Sequence, residues 1–496
     1  MPAPFVVRDH YVDLAAGRFA STTAEDLDRI FRNIATSGAK TLVVHFHGGL
    51  NPRDEAIQRV SDLGPTYAQA GAYPLFFVWE SWVSEVISNG FVAILQEPIF
   101  RAAVDRVGKL LFKKIADGQK TRAGGLETDA ERRLRVEIEK ARTLPGHDPR
   151  VPAELRQRVF AVRQRDEREL LNAFLNDPVI AHETRAIANE LSQAKPRPAV
   201  RGGGAEVLDR RETRMRPELK DQLKQASGTA RWDPTMTIAR ALVDVTVKVF
   251  TRYAQGREHG LIATVVEEVL RQLYFVEGWF SWMKVQIEDA FQPDPLRYGG
   301  TALLTHLTSM RDAGRPLRVV LVGHSAGSIY CCNVVDQART VVPEQKFDVA
   351  FLTPAVTLDR FGRMLATNGA AIQRLHNIAL CDALERKDRW IPVVADAYPA
   401  SLLYFTAGVM ERDAAQTGDV PLVGMQRFYD GSVPVATTAE REGLDYLRLH
   451  QERLCWAGDS MESERRMMES LTAEHHSGFA EEQSVRAIVG RFIGSA

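Results

Sequence analysis

A serine held between glycines is the first feature of this sequence equipped for covalent chemistry. Ser325 stands in Gly-His-Ser-Ala-Gly (323–327), after the apolar run "RVVLVG" and before the helix-like "SIYCCNVVDQART". A serine at a sharp strand-to-helix turn needs strained dihedrals, and flanking glycines let the chain close tightly around it. Its hydroxyl then stands at the top of a sheet, and the first turn of the next helix aims free N–H groups at a reacting carbonyl. That arrangement suits attack on an acyl carbon. Acyl transfer needs a second N–H donor for the developing oxyanion. The stretch "LVVHFHGGLNP" (42–52) runs an apolar strand into His47-Gly48-Gly49. Two glycines there cost backbone entropy and bring no side chain to pack, so the backbone itself must be needed. Ala326 and Gly49 (or Gly48) are the expected oxyanion donors. His45 falls on the opposite face of that strand and is expected to be structural.

These stretches, "HFHGGL" and "GHSAG", with the strand–helix order around them, resemble the α/β-hydrolase superfamily of serine esterases and lipases. The resemblance covers roughly 1–83 and 284–496. It implies the chain order Ser, then Asp or Glu, then His for a catalytic triad. That order narrows the base to His376, His450, His475 or His476, and His376 precedes every sensible acid. "EHHSGFAEEQSVRAIVGRFIG" looks like the histidine loop and last helix of the superfamily. His476 is the expected base, because its small successors can present the ring to the serine, and His475 is its alternate. His450, in "DYLRLHQERL", fits a helix face and is expected to pack there. For the acid, Asp382 lies directly at the end of the run "RLHNIALC" and meets the geometric demand most simply. Asp388, followed by "RWIP", resembles the superfamily's Asp-x-x-Val-Pro loop and is the alternate.

The elements that must position these residues follow from hydrophobic patterning. "TLVVHF" (41–46), "PLFFVW" (74–79), "RVVLVG" (318–323) and "FDVAFLT" (347–353) read as buried parallel strands, with 374–381 a weaker fifth. Helical patterns alternate with them, so the expected class is α/β, an α/β-hydrolase fold with a mostly parallel central sheet flanked by helices. From 84 to 283 only helical patterns and charge appear, read as a helical insertion, a cap or lid, in a core made of 1–83 and 284–496. The Pro/Gly-rich stretch 195–207 is expected to be a mobile linker. The apolar segments 90–115 and 261–285 are expected to pack on each other and on the sheet. The sharper expectation is a lid lining an apolar pocket, or a peripheral membrane contact.

Composition narrows the partners. Among 496 residues, 45% are hydrophobic and 26% charged, and the net charge of −1 gives no electrostatic footprint for nucleic acid. Four cysteines, two of them the adjacent Cys331 and Cys332, are too few for a disulfide scaffold and suit a reducing cytoplasm. No basic-then-apolar leader and no run long enough to span a bilayer is visible. No His/Cys/Asp cluster has metal-ligand spacing and no phosphate-loop motif occurs, so neither metal nor cofactor is expected. Glu80, at a strand end, is expected to cap the following helix. The function expected is a serine hydrolase acting on a small-molecule or lipid carboxylic ester, thioesters included. An amidase or peptidase is the alternative within the class. A non-catalytic binding protein, using the insertion to hold a partner or membrane, is the alternative outside it.

Overall fold

The computed structural model describes residues 5–49, 51–79, 83–120, 165–193, 214–227, 233–388, 398, 400–412, 418–431, 433–449, 454–458 and 471–495. Glu80, His450 and the stretch 195–207 lie outside the described residues.

Eight strands form one sheet in the order β2-β1-β4-β3-β5-β6-β7-β8. They are β1 (Tyr11–Ala15), β2 (Arg18–Phe19), β3 (Thr41–Phe46), β4 (Tyr73–Trp79), β5 (Arg318–His324), β6 (Phe347–Leu352), β7 (Ile372–Leu380) and β8 (Leu454–Ala457). Every neighbouring pair is parallel except β1 and β2. The central strands are near-continuous apolar runs because helices cover both their faces. The five strands read from the sequence are all present, within a residue or two of the expected ends. β1, β2 and β8 were not foreseen: β1 carries the buried Asp13, and β2 and β8 are very short.

Six helices matter for the site. They are α1 (Ala24–Ser37), α2 (Arg53–Gln69), α3 (Leu261–Leu273), α4 (Glu277–Asp289), α5 (Gly327–Val341) and α6 (Gln483–Gly494). Helix α1 begins at Thr23, whose side chain and Asp26 form a capping box, and ends at Gly38 in the left-handed region. Register fixes where the loops emerge. Phe46 lies opposite Gly323, and Gly323 opposite Phe351, so β3, β5 and β6 end level at their carboxyl edge. His47-Gly48-Gly49 and Ser325 therefore leave the sheet side by side, where open α/β sheets place their ligands.

Between β4 and β5 the described elements are all helices, with isolated bridges at Met215–Tyr274 and Arg18–Tyr298. The apolar stripes of this region face one another. Phe91, Ile94, Ile99, Phe100 and Val107 are buried in the same core as Val265, Val266, Val269 and Leu270 of α3. The Phe100 and Tyr274 rings meet edge-on at 5.9 Å. Glu97 accepts from the Arg214 N–H and the Tyr274 hydroxyl, both at 3.0 Å. No helix among the described residues is long and apolar enough to cross a membrane.

The helical region is also tied to the chain between β7 and β8, through a fully buried ionic cluster. Arg252 reaches Glu267 at 2.6 Å and Glu268 at 3.3 Å. His259 lies between Glu267 and Asp419, at 2.8 Å from each. Tyr398 donates to Glu267 at 2.6 Å, and Arg257 and Arg427 reach across to backbone carbonyls of Asp419, Pro434, Glu258 and Gly256. Burial alone would neutralise such carboxylates. The surrounding cations win instead and hold Asp419 well below the usual carboxylate range.

Candidate active site

The turn after β5 has the conformation its sequence requires. Ser325 is in the left-handed region at φ +50°, one of three non-glycine residues there among those described. Such backbone is costly for a residue with a β-carbon and persists only where its surroundings over-determine it. Here they do. The Ser325 N–H donates to Leu352 at 2.9 Å, while its carbonyl accepts from the Ser328 N–H, the Ser328 hydroxyl and the Ala355 N–H. The Ser328 hydroxyl also accepts from the Val356 N–H at 3.0 Å, tying the turn to the loop after β6. Close packing excludes side chains beside it. A β-carbon on Gly327 would strike the Phe46 carbonyl and lie 3.0 Å from that of His47, so α5 rests directly on the end of β3.

The glycine pair lies against the serine. A β-carbon on Gly48 would be 3.3 Å from Ser325 Cβ, and one on Gly49 would be 3.2 Å from Ala326 Cβ and would collide with the Met283 thioether of α4. His47 is locked rather than reactive. Its Nε2 accepts from the Trp79 N–H at 3.1 Å, so Nδ1 carries the proton and donates to the Gly48 carbonyl at 2.7 Å. Asn51 donates to the same carbonyl at 3.1 Å. Carbonyl and N–H of a trans peptide point opposite ways, so pinning the Gly48 carbonyl also aims the Gly49 N–H. Among the described residues, the N–H groups of Gly48, Gly49 and Ala326 have no acceptor. Buried backbone donors without partners are rare, and next to a serine hydroxyl they form a cradle for negative charge.

His476 completes the hydroxyl's surroundings. Its Nε2 is 3.1 Å from Ser325 Oγ, and both side chains are nearly buried, at 2% and 6% exposure. Helix α6 and the preceding turn hold its loop: Gly478 adopts φ +76°, and Glu481 pairs with Arg59 of α2. Burial lowers the His476 pKa to about 4, and the Asp388 carboxylate acts in the opposite direction. The ring is therefore neutral near pH 7 and can accept a proton.

The two carboxylates weighed in the sequence part company. Asp382, the first choice, opens a single helical turn (Asp382–Glu385) after β7. Its carboxylate bonds Arg386 at 2.9 Å, one turn on, and the Tyr404 hydroxyl, which places it in the buried ionic cluster. Asp388, the alternate, is the one brought to the base. Its Oδ2 accepts from the His476 N–H at 3.0 Å and its Oδ1 from His475 Nδ1 at 3.1 Å. His475 itself is 68% exposed and does not bond the serine. The helical turn is the reason for the exchange. It carries the chain past the sheet edge before the carboxylate that meets the histidine loop.

Sequence reasoning passed over three neighbours. Asn51 and Met283 touch the glycine pair, and His324 is hydrogen-bonded to the His476 backbone. His324 was legible as the variable residue of the serine motif; Met283 carried no signal, since its contact depends on how α4 packs. His45 faces Tyr67 at 2.9 Å, away from the site as expected. Among the described residues no group of three or more His, Cys, Asp or Glu is arranged to hold a metal ion. None of the four cysteines is in a disulfide, and all are buried. No family model, curated protein or solved structure matches this chain.

Proposed function

We propose that this protein is a serine hydrolase of the α/β-hydrolase type acting on carboxylic esters. The observation that carries this reading is Ser325 at positive φ with His476 Nε2 at 3.1 Å from its hydroxyl. Ser325 Oγ attacks the acyl carbon as His476 Nε2 takes its proton. The carbonyl oxygen becomes an oxyanion between the N–H groups of Ala326 and of Gly49 or Gly48. Collapse expels the alcohol, which takes its proton from His476. Water then enters, gives its proton to the same nitrogen and releases the acid, restoring the serine. Asp388 is the acid of the site, in preference to Asp382, because its carboxylate bonds the His476 backbone N–H. The apolar surroundings of Met283 and Ala326 favour an acyl group over a charged substrate portion.

The test is covalent. The purified protein is incubated with a fluorophosphonate, and the modified residue is located by mass spectrometry beside Ser325→Ala and His476→Ala. Labelling at Ser325 that both substitutions abolish supports the reading and justifies an ester screen. A folded protein that takes no label at Ser325, with detergent or without, sinks it and leaves a binding protein.

A further inference from the structure

We propose that His475 is a positioning residue for the acid of this site, whose hydrogen bond to Asp388 Oδ1 keeps that carboxylate from His476 Nδ1. The inference rests on the serine-hydrolase reading and deepens it. Three donors of the histidine loop lie about one carboxylate. The His476 N–H takes Oδ2 at 3.0 Å, and His475 Nδ1 takes Oδ1 at 3.1 Å. The third, His476 Nδ1, is buried and has no hydrogen-bond partner.

That orphan nitrogen bears directly on catalysis. Ser325 can pass its proton to Nε2 only while Nδ1 carries the ring's own hydrogen, and an acceptor at Nδ1 is what fixes this tautomer. Without one, the imidazole can place its proton on either nitrogen, and the imidazolium formed during attack has no anion beside Nδ1–H. Asp388 is anchored close by through Oδ2, so it needs only to turn about that anchor. The two bonds in competition are unequal. His475 is 68% exposed and can exchange its carboxylate partner for water, whereas His476 Nδ1 is dry and gains no substitute. Removing the His475 donor therefore releases the carboxylate towards the buried nitrogen. In the protein as it stands, the exposed imidazole restrains the triad, and anything that engages it from solution relieves the restraint.

The measurement is the rate of fluorophosphonate labelling at Ser325 in the full chain, with folding checked by circular dichroism. His475→Ala and His475→Leu, which lack the donor, should label about tenfold faster than wild type, a fraction of what a positioned base contributes. His475→Asn, whose amide restores a donor near the Nδ1 position, should return to the wild-type rate. Adding Asp388→Asn should erase the gain, since the released group is then no longer an anion. A donorless variant that labels at the wild-type rate or more slowly overturns the inference while wild-type labelling leaves the hydrolase reading standing. If wild type and every variant fail to label, the hydrolase reading falls and this inference with it.

Discussion

Two buried polar regions of this molecule are built on opposite principles. The serine site is made mostly of backbone: a strained turn, paired glycines and N–H groups left without acceptors. Around it the histidines are neutral. Burial lowers His45 to about 3 and His47 and His476 to about 4, and takes His324 well below its ordinary value. The ionic cluster of Arg252, His259, Glu267, Glu268, Asp419 and Arg427 is made of side chains, and nearly every charge in it faces an opposite one. The first region keeps donors uncommitted, as the proposed chemistry requires. The second commits its donors and binds α3 to the chain between β7 and β8. One asks for reactivity, the other for permanence.

Substitutions that cross between the regions would break or sharpen this contrast. The largest effect belongs to the site. His476→Ala should lower Ser325 labelling by about ten-thousand-fold, with the melting temperature little changed. A comparable loss of stability would mean the site also holds the fold together. Next comes the cluster. Glu267→Ala takes one of two carboxylates from each of Arg252 and His259 and the acceptor from Tyr398, and should cost about 3 kcal/mol of stability in urea unfolding. Labelling of its folded fraction should be unaltered; a matching loss of reactivity would join the two regions into one. Asp382→Asn should behave like Glu267→Ala in kind, whereas Asp388→Asn should change labelling by less than about tenfold, since its carboxylate is not on His476 Nδ1.

Smaller effects follow. Gly49→Ala places a methyl against Met283 and should slow labelling by about 100-fold, the lower end of the range for losing one oxyanion donor. Gly49→Ala with Met283→Ala should recover part of it, and no recovery would remove the steric explanation. The mildest expectation concerns acid. A base with a pKa of about 4 stays neutral well below 6.5, so labelling at pH 5.5 should stay within about twofold of its pH 7 rate. Stability responds sooner. His45, His47 and His476 bind fewer protons folded than unfolded between about 3 or 4 and 6.5, so their contribution is whole above pH 6.5 and drains away as the pH falls. Each group removes about 1.4 kcal/mol per pH unit once it is fully in that window. Urea midpoints at pH 7 and 5 check this, and a flat profile would show these histidines are hydrated.

What the sequence disclosed follows the same division. Ser325, His47-Gly48-Gly49 and His476 could be read because strand ends and glycines announce backbone geometry locally. The sheet centre was legible for the same reason, since β3, β5 and β6 are short uninterrupted apolar runs. Asp388 was harder, because the helical turn that passes over Asp382 is only four residues long and has no periodicity to detect. The ionic cluster left no trace. Its members are scattered from Arg252 to Arg427, and in a one-dimensional reading each resembles an ordinary solvated charge.

The contact between Gly327 and the carbonyl of Phe46 has a consequence for how this chain can diverge. Every single substitution at Gly327 adds atoms where a strand's backbone already lies, so drift at that position leads nowhere by itself. A neighbouring sequence becomes reachable only if β3 moves in the same step, which requires a change far away in the chain. Gly108, in the helical region, has open space where a β-carbon would go. Lineages descending from this protein should therefore keep the turn and the glycine pair as one inherited unit, and accumulate their differences in the helices that surround it.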